Sequence, residues 1–317
     1  MKTSLKTVLA AVAVVGSLTL AGCAPAAEES SDNTALAGLT GVVGAKDFSE
    51  QYILGNMVSQ LLNANGADTT YQTIVGSANV RTALESDEFM GYWEYTGTSW
   101  LAYLGNDKPV QGVQAQYDAV KAADGANGIA WLDGAAVNNT YAFAIRSEKA
   151  AELGIKTMSD VAKLPASEQT FCIESEFASR PDGWEGFRAA YGLANNTVTL
   201  DTGAIYSVTD KGEDCNFGEV FATDGRIKAL DLLVMTDDKE FFPVYQVGFT
   251  LKQSTLDAYP AIADIINKLT ATLTDQVMQT LNARADVDGD DPADIAREYL
   301  IEGLHYRVIL LDKKTKL

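Results

Sequence analysis

The sequence predicts an α/β protein with two domains. Short apolar runs alternate with segments of helical periodicity from Leu39 onward; residues 41–44 and 70–75 have the pattern of buried strands, with a helix predicted between them. The 317-residue chain also has the length of two domains, since removal of residues 1–22 leaves 295. The repeated β-α-β order predicts parallel sheets joined by crossover helices.

The first predicted helix has clear boundary signals. Asp47 followed by Glu50 has the spacing of a capping box, and Asn65-Gly66 is a typical helix end. The remaining elements are predicted as strands at residues 89–95, 141–145 and 171–174 and as helices at residues 77–84, 159–164, 183–191, 256–283 and 292–304.

The N-terminus has the pattern of an export signal. Two lysines precede an almost wholly apolar run at residues 8–20, which is too short to span a membrane. The run ends at Leu20-Ala21-Gly22-Cys23, which resembles a bacterial lipobox. We therefore predict a signal peptide at residues 1–22, a lipidated Cys23, and an anchor and tether at residues 23–38. The alternative is an ordinary cleaved signal ending near Ala26 or Ala27, and both interpretations place the protein outside the cytoplasmic membrane.

The charge of the chain argues against two classes of partner. The formal net charge is −19 at pH 7, and loss of the two lysines in residues 1–22 makes the remainder −21. A surface this acidic repels nucleic acid and anionic lipid. It does not indicate a particular ligand, because acidic surfaces also keep exported proteins soluble.

The cysteines predict one disulfide. Apart from Cys23, the chain contains only Cys172 and Cys215. In an oxidising compartment such an isolated pair is more often bridged than free, although two free thiols are the alternative.

The usual catalytic motifs are absent from the sequence. It has no G-x-S-x-G elbow, no Walker-type loop and no G-x-G-x-x-G. A single histidine, His305, cannot supply a metal cluster. We therefore predict a binding protein rather than an enzyme, with no metal and no cofactor.

Aromatic residues are concentrated beside predicted turns. They occur in Tyr92-Trp93-Glu94-Tyr95-Thr96-Gly97-Thr98, in Trp131-Leu132-Asp133, in Asn138-Asn139-Thr140-Tyr141 and in Phe241-Phe242-Pro243-Val244-Tyr245. Aromatic faces attract cations, and a quaternary ammonium group suits them because it cannot donate a hydrogen bond. The alternative is that these side chains are ordinary core residues.

These segments and several others resemble the glycine betaine/choline/carnitine-binding proteins of osmoprotectant ABC importers. The resemblance extends over nearly the whole chain after the signal peptide. It rests on residues 44–55 (GAKDFSEQYILG), 93–98 (WEYTGT), 131–133 with 138–142 (WLD, NNTYA), 176–183 (EFASRPDG) and 222–226 with 237–239 (ATDGR, DDK).

The resemblance implies an aromatic cage for a quaternary ammonium group. The family uses four tyrosines, and motif matching assigns three of them to Tyr95, Tyr141 and Tyr245. The fourth position is Phe221, so this chain departs from the family pattern there. Phenylalanine keeps the aromatic face and loses the hydroxyl, which leaves cation binding possible at that wall of the cage.

The resemblance also implies a site for a ligand carboxylate, formed by Lys46, Arg180 and Thr98. Lys46 precedes a predicted helix N-terminus, which itself favours an anion. Without the resemblance, both cations would be interpreted as surface charge. Because no carboxylate belongs to this set, we expect the site to prefer a zwitterion such as glycine betaine over choline.

The implied architecture is the type II periplasmic-binding-protein fold, with a ligand cleft between two lobes. We predict one lobe from residues 39–139 with 247–317 and the other from residues 140–246. The implied partners are a small quaternary ammonium ligand, ABC permease subunits with a cytoplasmic ATPase, and the membrane through the lipid anchor. Two alternatives stay open: a binding protein for another small cation or amino acid on this fold, and a secreted enzyme of this fold.

Overall fold

Two five-stranded sheets organise residues 34–303, the part of the chain that this computed structural model describes. The strands are β1 (Thr40–Ala45), β2 (Asp68–Thr73), β3 (Gly91–Tyr95), β4 (Ile129–Asn138), β5 (Tyr141–Arg146), β6 (Phe171–Ile173), β7 (Thr197–Thr199), β8 (Phe217–Phe221), β9 (Leu232–Val234) and β10 (Gln246–Lys252).

Helices connect and cover these strands. They are α1 (Ser49–Ala64), α2 (Ser77–Glu85), α3 (Thr96–Thr98), α4 (Val113–Ala126), α5 (Ser147–Leu153), α6 (Met158–Val161), α7 (Ser175–Ser179), α8 (Trp184–Tyr191), α9 (Thr202–Lys211), α10 (Arg226–Ala229), α11 (Gln253–Ala258), α12 (Ala261–Thr270), α13 (Asp275–Ala283) and α14 (Pro292–Gly303). Two further segments, Ser99–Tyr103 and Arg284–Asp288, are π-helical.

Both sheets are mixed, so the prediction of parallel sheets is wrong for some strands. Sheet one has the order β2-β1-β3-β10-β4, and sheet two has the order β7-β6-β8-β5-β9. In sheet one β1 runs parallel to β2 and β3, but β10 is antiparallel to β3 and β4. In sheet two β6 runs parallel to β7 and β8, but β5 is antiparallel to β8 and β9.

The reversed strands are those that enter a sheet from the other sheet. The chain leaves sheet one after β4, enters sheet two as β5, and later returns to sheet one as β10. The carboxyl ends of β1 and β3 in sheet one, and of β6 and β8 in sheet two, face the other sheet. A strand that arrives from the other sheet starts at this same end, so it runs antiparallel to these strands. We call the part built on sheet one the first lobe and the part built on sheet two the second lobe. The exact lobe boundaries stay a prediction.

Helix α1 starts one residue later than the predicted capping box requires. Its N-cap is Phe48, and no side chain caps the helix. Asp47 Oδ1 instead accepts a hydrogen bond from Gly76 N at 3.3 Å, and the Glu50 side chain is buried within the protein. The capping box is therefore wrong, because tertiary contacts use both carboxylates. The helix nevertheless ends at Ala64, directly before the predicted Asn65-Gly66 stop.

The folded body begins before the predicted end of the tether. Leu36 is fully buried, and its backbone N–H donates to Asn65 O at 2.9 Å. The predicted signal peptide, the predicted lipidation site Cys23 and the single histidine lie outside the described residues. Among residues 34–303, no helix has the length and apolar character needed to cross a membrane.

Cys172 and Cys215 form a disulfide in the second lobe. Their Cα atoms are 5.7 Å apart, and 43 positions separate them in the sequence. Cys172 lies in β6 and Cys215 shortly before β8, and both pack against Ile205 of α9. The bridge therefore joins β6 to the segment that leads into the neighbouring strand β8, next to α9.

We expect the double variant Cys172→Ala/Cys215→Ala to lose about 4 kcal/mol of unfolding free energy, because the bridge restricts a long loop in the unfolded chain. Urea unfolding of the variant and of the wild-type protein measures the difference. Cys23→Ser, which leaves the bridge intact, is the control. Two free thiols at Cys172 and Cys215 in non-reduced peptide mass spectrometry would contradict the bridge.

Candidate functional site

A cavity of about 40 Å³ lies between the lobes, where strands of both sheets end. Ligands of open α/β sheets usually bind at the carboxyl ends of the strands, where loops converge. Its lining residues are Lys46, Asp47, Phe48, Ser77, Tyr95, Thr98, Asn139, Tyr141, Glu174, Glu176, Thr202, Phe221 and Tyr245. Six of the seven predicted ligand residues belong to this lining. The seventh, Arg180, does not, but it contacts Thr98 and the Tyr141 ring.

The four rings of the predicted cage all line the cavity. The centroid of the Tyr141 ring lies 5.2 Å from that of Phe221 and 5.4 Å from that of Tyr245. Tyr95 is connected to this group through Phe48, whose ring stacks at 6.2 Å from Tyr95 and 5.2 Å from Phe221. Phe48 is thus a fifth aromatic wall that the motif comparison did not assign.

Strand pairing brings the cage rings together. Tyr141 is the first residue of β5, Phe221 is the last of β8, and the two are paired in register. Tyr95 ends β3 in the first lobe. Gly97 makes room for the remaining ring, since a Cβ atom there would lie 2.8 Å from the ring of Tyr245.

The phenols of the cage are neutral. Burial raises the pKa of Tyr95, Tyr141 and Tyr245 well above the usual tyrosine value. The hydroxyl of Tyr245 donates to Asp182 Oδ2 at 2.5 Å, and that of Tyr95 donates to Glu50 Oε1 at 2.7 Å. These bonds anchor the hydroxyl ends of both rings.

Lys46 lies in a buried ion pair. Its Nζ is 2.6 Å from Glu94 Oε1, and both side chains are almost completely buried. Glu94 also accepts hydrogen bonds from the hydroxyls of Tyr92 and Tyr103, at 2.8 and 3.0 Å. The Lys46 ammonium is 5.1 Å from the centroid of the Tyr95 ring. One of its three N–H groups is used by Glu94, so the ammonium retains capacity to donate into the cavity.

Arg180 is held by carboxylates of its own lobe. Its guanidinium donates to both oxygens of Asp182, at 2.8 and 2.6 Å, and to Glu176 at 3.2 Å. It also reaches across the cleft to Thr98 Oγ1 at 3.3 Å and lies 5.4 Å from the centroid of the Tyr141 ring. Arg180 therefore packs over the Tyr141 ring and contacts Thr98 of the other lobe.

Three carboxylates line the cavity, which corrects the expectation of a site without acidic groups. They belong to Asp47, Glu174 and Glu176. Burial, with the nearby charge of Glu176, raises the pKa of Glu174 to about 7. Burial also raises the pKa of Glu176, but Lys46 and the hydrogen bonds from Ser77 outweigh it, so this pKa lies below its usual value. The preference for a zwitterion therefore cannot be argued from an absence of acids.

Some residues that line the cavity lie in segments that the sequence analysis had singled out, and others do not. Phe48 and Asn139 lie within the matched motifs, and Glu174 ends a predicted strand, so their positions were visible although their roles were not. Ser77 was visible only as a helix start. Thr202 gave no signal, because its position depends on how α9 packs against the second sheet.

A larger cavity of about 400 Å³ adjoins the first. The two share Asp47, Ser77, Glu174 and Glu176. The second cavity is further lined by hydroxyl groups and one cation, on Tyr103, Ser175, Ser179 and Arg180. Its remaining lining is apolar or glycine: Val75, Gly76, Ala78, Ala102 and Pro181. A ligand seated in the aromatic cavity thus has a space of mixed polarity next to it, with three carboxylates on the border.

The arrangement has the properties of a binding site. Within residues 34–303 no group of three or more His, Cys, Asp or Glu side chains is placed to hold a metal ion. The aromatic faces and the carboxylates attract a cation, including one without N–H or O–H donors. Lys46 and Thr98 can donate hydrogen bonds to an anionic group of the same ligand.

Comparison with known proteins agrees with this geometry. The family model for the "substrate binding domain of ABC-type glycine betaine transport system" matches residues 41–302. A glycine-betaine-binding protein of Pseudomonas aeruginosa is 36% identical over 271 residues, which cover 82% of this chain and 86% of that protein.

Two further proteins are similar over a comparable share of this chain. An ergothioneine transport permease/ergothioneine binding protein of Helicobacter pylori is 33% identical over 82% of this chain, and the match covers 47% of that longer protein. The crystal structure of a glycine betaine/carnitine/choline ABC transporter protein superposes with a TM-score of 0.70 at 29% identity, covering 84% of this chain and 99% of the other.

The resemblance predicted from the motifs is confirmed, as is the two-lobed α/β fold. These relatives bind substrates for ABC importers and are not enzymes, in agreement with the prediction. The chain therefore belongs to the family of substrate-binding domains of ABC-type glycine betaine transport systems.

Proposed function

We propose that this protein captures glycine betaine outside the cytoplasmic membrane and delivers it to the permease of an ABC importer for osmoprotection. The observation that carries the proposal is the convergence of Tyr95, Tyr141, Phe221 and Tyr245 on one cavity between the lobes. The 36% identical glycine-betaine-binding protein of Pseudomonas aeruginosa supports the choice of ligand. Lipidation of Cys23 would hold the protein at the outer face of the membrane, close to the permease.

The proposed cage binds the trimethylammonium group through aromatic faces. This group spreads its charge over methyl hydrogens and is weakly hydrated, so transfer from water to a wall of rings costs little and gains cation–π attraction. Neutral phenols suit this role, because a cation interacts with their faces, and the hydroxyls of Tyr95 and Tyr245 are already bound to Glu50 and Asp182. Glu176, whose pKa is held below its usual value, adds a negative charge at the same cavity.

The ligand carboxylate would bind at Lys46 and Thr98. Charge-assisted hydrogen bonds of this kind are worth about 1.5–3 kcal/mol each. Arg180 would contribute through its contact with Thr98, since its guanidinium is already bound to Asp182 and Glu176. Lys46 therefore has a larger direct role than Arg180 in binding the ligand carboxylate.

Ergothioneine is a second candidate ligand. It is also a trimethylammonium carboxylate, but it carries a ring with N–H donors that glycine betaine lacks. The adjoining cavity, with Asp47, Glu174 and Glu176 on its border, could receive such a ring. The 33% identity to an ergothioneine-binding protein supports this candidate.

Calorimetric titration with glycine betaine, choline, carnitine, ectoine, ergothioneine and proline tests the proposal. We expect glycine betaine to bind tightest, and a ligand at 100 times its dissociation constant to raise the unfolding free energy by about 2.7 kcal/mol. Proline, which lacks a quaternary ammonium group, is the control. Tighter binding of ergothioneine would favour the second candidate, and binding of none of these compounds would reject the proposed function.

Alanine substitution of cage residues should weaken glycine betaine binding. We expect Tyr141→Ala and Tyr245→Ala each to raise Kd by several-fold to tens of fold, because one aromatic face contributes roughly 0.5–2 kcal/mol. Phe221→Tyr keeps the ring and should change Kd little. Wild-type affinity in both alanine variants would show that the cage is misplaced.

The pKa of Glu174, raised to about 7, predicts pH-dependent binding of choline. Choline carries a cation and no carboxylate, so it should favour the ionised form of Glu174. Its affinity should therefore increase several-fold between pH 6 and pH 8 as Glu174 loses its proton. Glu174→Gln is the matched variant and should remove the increase; the same pH profile in both proteins would contradict the assignment.

A further inference from the structure

Glu50 is a buried carboxylate with four side-chain donors around it. It lies in the first turn of α1 and is 2% exposed. Oε1 accepts from Tyr95 Oη at 2.7 Å and Asn139 Nδ2 at 2.9 Å, and Oε2 accepts from Thr223 Oγ1 at 2.5 Å and Asn282 Nδ2 at 3.1 Å. Burial raises the pKa of Glu50, and the four donors oppose this effect. A carboxylate so far from water is tolerated only with such a complete set of partners.

The four donors come from different parts of the cleft. Tyr95 is a cage residue at the end of β3, and Asn139 lies at the passage from the first lobe to the second. Asn282 belongs to α13 of the first lobe. Thr223 follows β8 and is the donor supplied by the second lobe. The Glu50 carboxylate thus connects a cage residue, the segment that joins the lobes, and one residue of the second lobe.

Thr223 is held by three side chains across the cleft. Besides its bond to Glu50, its backbone N–H donates to Asn139 Oδ1 at 3.4 Å, and its carbonyl oxygen accepts from Asn282 Nδ2 at 3.0 Å. These bonds require the lobes to be in contact. Separation of the lobes would carry Thr223 away with the second sheet and leave Glu50 to water.

We propose that Glu50 is a positioning residue that couples the aromatic cage to closure of the lobes: it anchors the hydroxyl of Tyr95 and latches the second lobe through Thr223. The inference rests on the proposed function, in which a ligand binds between closing lobes. A bond present only in the closed state adds to ligand affinity, because the ligand binds that state preferentially.

The protein contains a matched control for this role. Asp124 is also fully buried and accepts four hydrogen bonds, two from Arg81 at 3.1 and 2.7 Å, one from Ser99 at 2.9 Å and one from Trp131 at 2.7 Å. All three partners belong to the first lobe. Loss of the Asp124 carboxylate should therefore destabilise the fold without affecting closure.

The test compares Thr223→Val, Thr223→Ser, Glu50→Gln and Asp124→Asn. Calorimetry gives Kd for glycine betaine and for ergothioneine, thermal unfolding gives the stability of the unliganded protein, and small-angle X-ray scattering gives the radius of gyration. We expect Thr223→Val to raise Kd about tenfold or more, because it removes a hydrogen bond to a charged group and keeps the side-chain shape. Thr223→Ser keeps the hydroxyl and should bind with wild-type affinity. Glu50→Gln should weaken binding at least as much, since its amide group would face donors.

Asp124→Asn should lower the unfolding temperature and leave Kd unchanged. The latch is overturned if Thr223→Val binds within twofold of the wild type, or if Asp124→Asn weakens binding as much as Thr223→Val does. If the wild-type protein binds neither ligand, the proposed function fails and scattering alone decides: an unchanged radius of gyration in unliganded Thr223→Val would then overturn the latch, and an increase would support it.

Discussion

Pairing of buried charge is the constraint on which the cleft depends. Lys46 and Glu94 are almost fully buried in the first lobe, as are Arg180 and Asp182 in the second. An isolated charge at either place would be strongly destabilising, whereas a pair with further hydrogen bonds is tolerated. Because these partners satisfy the cations, the lobes can close and bury the surfaces around the cavity.

This pairing changes how the site must recognise a ligand. A set of unpaired cations would select an anion, but the cations here are already bound to carboxylates, and Asp47, Glu174 and Glu176 line the same cavity. The cavity is therefore suited first to a cation, which the aromatic faces and the acidic groups attract together. The remaining donor capacity of Lys46 then favours a ligand that also carries a carboxylate. Charge and shape thus support the proposal of a compact zwitterion with a quaternary ammonium end.

Apart from the aromatic contact of Phe48 with Phe221, many of the contacts across the cleft are polar, which fits a closure that must be reversible. Arg180 bonds to Thr98, Ser77 N donates to Glu176, and Thr223 donates to Glu50. When the lobes part, water can replace each of these partners, so opening costs only the net contribution of each bond, roughly 0.5–3 kcal/mol. A wide apolar interface would instead hold the lobes together and oppose release of the ligand to a permease. The reversed strands β5 and β10 begin at the cleft. The segment that enters the second lobe therefore leads directly to Tyr141, the first residue of β5, and the segment that returns to the first lobe ends with Tyr245, directly before β10.

The sequence by itself indicated the elements around the matched motifs and the aromatic residues beside them, because apolar period and helix or strand ends are properties of neighbouring residues. It did not predict β4 or β7 to β10, and the helical segment predicted at residues 256–283 is divided into α11, α12 and α13. The order of motifs identified the family, and six of the seven predicted ligand residues line one cavity. Only the tertiary structure decided which charges pair. Lys46 and Glu94 are 48 positions apart, and the donors to Glu50 lie 45 to 232 positions away. No local pattern records such contacts, since they exist only after distant strand ends meet. The same reason explains why Asp47 and Glu50 do not cap α1: contacts with distant segments take both carboxylates away from the helix end.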